Sequence, residues 1–173
     1  MIGAILQNLL RFILLVFIQV FILNQITLPG SVNAYINPNI YILFLFMLPI
    51  NINKQFLLLI SFICGLTVDV FSSTAGMHAS ACLFIGLIRP GLVNIIMPRD
   101  GYENAVELTL PGLGFRTFFI YTSTLVVIHH LVLYLIEAFN FLNFGDLLLR
   151  VITSSFATLL LITLSQLLTL RKR

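Results

Sequence analysis

Six apolar runs, at about 4–23, 36–50, 55–70, 75–97, 115–138 and 147–169, follow one another along the chain, separated by polar breaks. A soluble globule of this size needs a polar coat, yet 60% of the residues are hydrophobic and 9% charged. Lipid must therefore solvate most of the surface. A helix crosses the hydrocarbon core with about 20 apolar residues, and in lipid every backbone polar group must be satisfied within the protein. The expected fold is all-α: a polytopic membrane protein of six transmembrane helices in one integral membrane domain, residues 1–173. The runs at 36–50 and 55–70 are short for a span. Locally thinned bilayer or a re-entrant segment buried by protein would each accommodate that, and two full spans are expected. The first run, interrupted by Arg11, reads as a retained span and not a cleaved signal.

The charges set an orientation and exclude some functions. The net charge of +3 is scattered along the chain, with three of nine basic residues in Arg171-Lys172-Arg173, so it does not describe a nucleic-acid surface. Basic residues collect on the cytoplasmic side. With six spans, that places both termini in the cytoplasm together with Lys54, Arg99 and Arg116. The opposite loops, near 24–39, 71–74 and 139–146, carry no Lys or Arg. The exception is Arg150, just inside span six, which Asp146 or Glu137 can neutralise. Cys64 and Cys82 both lie in apolar runs and read as reduced core residues. The loop from Tyr102 to Leu110 is acidic and reads as a connector able to touch a cytoplasmic partner.

Inside the spans, ionisable groups are costly and so informative. Spans three and four carry small residues at helical spacing: Ser61, Gly65 and Asp69, then Ala75, Ala79, Cys82 and Gly86. Such faces let helix backbones approach closely, for the fold itself or for a second membrane protein. Asp69 and His78 fall at similar depth across the intervening turn. They form a hydrogen-bonded pair, or a polar staple that fixes the hairpin, or Asp69 caps a helix end in the headgroup region. Arg89 precedes Pro90; it can snorkel to headgroups or bond the Gly86 carbonyl that Pro90 deprives of an amide. His130, Tyr134 and Glu137 share a face of span five beside His129, and with Arg150 they suggest an interhelical polar network. His130 and Glu137 lie about 10 Å apart along the axis, too far to chelate one ion alone, so no metal site is expected. No nucleophile–base pair, phosphate loop or dinucleotide turn is present in the sequence. Neither an enzyme nor a cofactor is expected.

The segment Gly65-Leu66-Thr67-Val68-Asp69-Val70-Phe71-Ser72-Ser73, followed by Gly76-Met77-His78-Ala79, resembles the rod shape-determining protein MreD family. There "G-L-x-x-D" closes one span and "G-x-x-A" opens the next. The stretch His129-His130 to Leu135-Ile136-Glu137-Ala138-Phe139 resembles the Bacteroidetes-type variant. Most of the chain is covered, and Gly65, Asp69, Gly76 and Arg89 carry over; the long 98–114 loop departs from the pattern. The resemblance implies a non-enzymatic inner-membrane component of the cell-elongation machinery that supports lateral peptidoglycan synthesis. Its partners would be an MreC-like single-span protein and, indirectly, MreB filaments, RodA and its transpeptidase. The alternative is a substrate-binding subunit of an energy-coupling-factor transporter, whose six-span fold is similar. Asp69, His78, His130 and Glu137 would then line its cavity.

Overall fold

The computed structural model describes residues 2–26, 29, 35–96, 108–138 and 144–170. The basic tail, the acidic loop as far as Glu107 and residues 139–143 lie outside that set. The described residues form an all-α membrane bundle. Its elements are α1 (Ile2–Phe17), α2 (Leu43–Phe46), α3 (Lys54–Ser72), α4 (Met77–Ile96), α5 (Leu110–Leu113), α6 (Phe115–Glu137) and α7 (Phe144–Leu170). A π-turn at Ile18–Ile22 and a 3-10 turn at Leu23–Gln25 extend α1. Among the described residues, five helices are long and apolar enough to cross a membrane: Leu6–Gln25, Lys54–Ser72, Met77–Ile96, Phe115–Glu137 and Phe144–Thr169.

The run at 36–50 departs from the expectation of a sixth regular helix. It is non-helical through 35–39, makes a 3-10 turn at Ile40–Ile42, and closes with the single turn of α2. It still runs through the bundle from end to end. The Asn37 amide bonds Ser154 and the Asn39 amide bonds Thr158, while Met47 Sδ receives Gln166 Nε2 at 3.5 Å. We call the end where α1 begins and α7 finishes basal, and the other distal. Ser154 to Gln166 spans about 18 Å of α7 axis. Two residues, Asn37 to Asn39, keep pace with the four of α7 between Ser154 and Thr158, a rise of about 3 Å each and therefore extended backbone. Too few residues are present to cross as a helix, and opening one end recovers the length.

This crossing is the core. Tyr41, Ile42, Leu45 and Phe46 are wholly inaccessible. Around it pack Leu15 and Val20 of α1, Leu57 of α3, Ile85 of α4 and Leu125 of α6, and Ile162 of α7. Phe12 meets Phe44 at 5.1 Å between ring centroids, and Phe46 meets Tyr121 at 6.2 Å. The opposite faces of the long helices present Leu14, Phe17, Leu87 and Phe156, as lipid-facing positions should.

α3 and α4 form the tight antiparallel hairpin that their small residues suggest. The Asn53 side chain caps α3 by accepting from the Gln55 amide at 2.9 Å. Ser73 ends the helix in the left-handed conformation (φ 55°), and Gly76 (φ 81°) turns the chain into α4. A Cβ on Gly65 would overlap the His78 carbonyl and stand 2.5 Å from Ala79 Cα; one on Gly86 would stand 2.5 Å from Ser61 Oγ. At Gly65 two backbones thus meet where only hydrogen fits, and at Gly86 the α4 backbone meets the Ser61 side chain. Ala75 lies in the turn and is exposed, so it does not extend this seam.

Gly65→Ala should therefore lower the thermal unfolding midpoint in detergent by several degrees, an overpacking cost of about 1–3 kcal/mol. Gly91→Ala, where a Cβ meets nothing within 4 Å, should leave it nearly unchanged. Circular dichroism melts of the two variants check this, and equal midpoints would contradict the seam.

Candidate functional site

An extended segment inside a bilayer needs partners for each N–H and C=O, because neither water nor its own neighbours supply them. Side chains of α1 and α7 provide them. Asn37 N donates to Ser154 Oγ at 3.0 Å, Asn39 N to Thr158 Oγ1 at 2.9 Å, and Ile40 N to Gln19 Oε1 at 2.8 Å. Gln19 Nε2 donates to the Pro38 carbonyl at 3.1 Å, while Thr153 and Ser154 hydroxyls donate to that of Tyr35 at 2.5 and 3.1 Å. Gln19 sits in the π-turn of α1, a local distortion of a kind frequent at functional positions. None of these four side chains was prominent in the sequence, where isolated Gln, Ser and Thr within spans look like ordinary packing residues.

Arg89 serves the basal end of the same segment. It neither snorkels nor bonds Gly86; its side chain is buried, 1% exposed. Its guanidinium donates to the Leu48 carbonyl, to those of Phe46 and Pro49 at 3.5 Å, and to Tyr121 Oη at 3.0 Å. Tyr121 in turn donates to the Phe46 carbonyl at 3.1 Å. A cation here offsets the negative carbonyl end of α2 and fills acceptors that a finished helix leaves open. No carboxylate bonds Arg89 among the described residues.

Between these two ends lies a cluster centred on Tyr41. Its hydroxyl is 3.0 Å from His78 Nδ1, 3.0 Å from His129 Nε2 and 3.7 Å from Cys82 Sγ. One phenol proton serves two imidazoles only if Tyr41 donates to one ring and accepts an N–H from the other. His129 Nδ1 is buried with no hydrogen-bond partner. His130 belongs to the crossing: its Nε2 is 3.3 Å from both Asn39 Nδ2 and Thr158 Oγ1, and its Nδ1 lies 2.9 Å from the Val126 carbonyl.

Of the alternatives open to Asp69 and His78, the structure has the cap and not the side-chain pair: Asp69 caps α4. Its carboxylate accepts from the His78 and Ala79 amides at 3.1 and 2.8 Å and from Thr74 Oγ1 at 2.5 Å. An acidic cap at a helix N-terminus suits the dipole and satisfies its first amides. The face of α6 divides. Tyr134 Oη lies 2.7 Å from Ser154 Oγ, whereas exposed Glu137 pairs with Arg150 at 2.9 Å, whose Cζ lies 4.5 Å from the centroid of the Tyr134 ring. Asp146 accepts from Tyr35 Oη at 3.4 Å instead of pairing with Arg150. Arg11 donates to Asn8 Oδ1 at 3.0 Å.

The structure thus gathers Gly65, Asp69, Gly76, His78 and Ala79 at one distal junction, and Arg89 stands apart near the basal end. His130, Tyr134, Glu137 and Arg150 line the α6–α7 contact. Among the described residues, carboxylates do not converge with the imidazoles on one point. A groove of about 730 Å³ opens between α1 and α7, floored by residues 36–39. Comparison with protein-family models, with curated proteins and with solved structures finds no match.

Replacing Arg89 with Met strands several buried acceptors, which should cost about 2–4 kcal/mol. Arg89→Lys, retaining the charge but not the fork, should recover part of that. Unfolding midpoints in mixed micelles read the order wild type, Lys, Met. A Met variant as stable as wild type would show that the carbonyls need no cation.

Proposed function

We propose that this chain is a non-enzymatic scaffold of the MreD type, working in the elongation machinery of a bacterial inner membrane. Both termini would be cytoplasmic and the distal end would face outward. In this role it binds an MreC-like single-span protein and, through it, associates with MreB filaments, RodA and its transpeptidase. The observation that supports the reading best is the distal α3–α4 junction. The residues that carry the resemblance, Gly65, Asp69 and Gly76, together with Ala79, build one seam and one cap there. Meanwhile the buried polar groups are largely occupied with backbone, as a docking body requires and a catalyst does not. The groove between α1 and α7 favours a second reading, an energy-coupling-factor type subunit that captures a small molecule.

The readings separate experimentally. Co-purification from native membranes should recover an MreC-like protein, and depletion should round the cells. Saturable binding of a water-soluble small molecule without such a partner would favour the transporter subunit. Independently, a reporter fused at Asn143 should be active outside the cytoplasm and one after Arg173 inside it; the reverse pattern would overturn the orientation.

A further inference from the structure

We propose that the α1–α7 groove binds a membrane lipid with an uncharged, hydroxyl-rich head group. It is walled by apolar side chains, Leu23 and Ile26 on α1's distal end, Ile152, Phe156 and Leu160 on α7. Ile152 and Phe156 are 64% and 67% exposed, so the groove opens sideways to lipid and is not a sealed cavity. Its volume of about 730 Å³ lies within the range of small-ligand sites.

The floor differs from the walls. Gln19, Asn24, Asn37, Asn39 and Thr153 all line the groove, at the distal end and up to several residues below it. Gln19, Asn39 and Thr153 are already bonded within the protein, so the spare capacity is that of Asn24 and Asn37, and a hydrocarbon tail alone would leave it unmet, at a cost. Asn24 donates to Ser72 Oγ at 2.9 Å and accepts from Gln19 at 2.8 Å, leaving one N–H and one lone pair. Asn37 is exposed within the groove. The occupant must therefore offer both donors and acceptors below the surface, with apolar chains above the walls.

Charge narrows the class. None of the described lining residues is ionisable, and residues 24–49 contain no Asp, Glu, Lys, Arg or His. Nearby Arg150 is engaged with Glu137. A phosphate or carboxylate head would find no countercharge, whereas the hydroxyls of a sugar match amides that both give and accept. This inference stands apart from the scaffold reading.

The test uses the full chain in nanodiscs of phosphatidylethanolamine and phosphatidylglycerol doped with monoglucosyl diacylglycerol. Native mass spectrometry then reads the lipids retained. One or two satisfied hydrogen bonds predict about tenfold enrichment of the glycolipid over its bulk share. Asn37→Leu should abolish that enrichment, and so should Ala157→Phe, which fills the groove without touching its hydrogen bonds; free glucose should not compete. Preference for phosphatidylglycerol, no preference at all, competition by glucose, or enrichment that survives either folded variant would overturn the proposal.

Discussion

Backbone hydrogen bonding in the absence of water is the constraint from which this structure follows. The segment 35–49 has too few residues to cross hydrocarbon as a helix, so part of it is extended, and extended backbone cannot satisfy itself. Hydroxyls and amides from α1 and α7 complete its distal half, while Arg89 and Tyr121 complete its basal end. With those bonds made, the segment sits at the centre of the bundle, and the long helices pack around it. Each unmade bond would leave a buried polar group at about 1–3 kcal/mol, a sizeable part of the stability of any small domain.

That arrangement reinterprets the ionisable residues. In a membrane protein a buried arginine or histidine invites a transport or catalytic explanation. Arg89 here holds carbonyls, His130 stands against Asn39 and Thr158, and Asp69 completes the first turn of α4. The Tyr41 cluster differs, since it bridges imidazoles from two helices through one hydroxyl. It ties α4 and α6 to the crossing, beside the contact that Gly65 makes with His78 and Ala79. The fold is therefore held by a few specific junctions, as lipid supplies no hydrophobic drive between helices.

Much of this was legible beforehand. Length and hydropathy alone identify α3, α4, α6 and α7, and the four-residue spacing of Ser61, Gly65 and Asp69 identifies the face of α3 that meets α4. The irregular crossing was legible only as a shortage: a run closed by Pro49 and opened by Asn37-Pro38-Asn39, a turn-forming tripeptide. Its partners were not, since Gln19, Ser154 and Thr158 acquire meaning only once a backbone lies against them. One signal was available. Thr153, Ser154 and Thr158 form a hydroxyl stripe on α7, and an amide well inside the first and last apolar runs (Gln19, Gln166) is dear enough in lipid to imply a partner. Arg89 illustrates the converse: its cost was evident, but Leu48 and Tyr121 lie far away in sequence.

Amide hydrogen exchange on the protein in nanodiscs tests the central claim most directly, resolved at Asn37, Asn39 and Ile40. Wild type should protect all three. Ser154→Ala should speed exchange at Asn37, Thr158→Val at Asn39 and Gln19→Leu at Ile40, each mainly at its own amide. Unchanged protection in all three variants would mean that the segment satisfies its own backbone as a regular helix, and the account would fail.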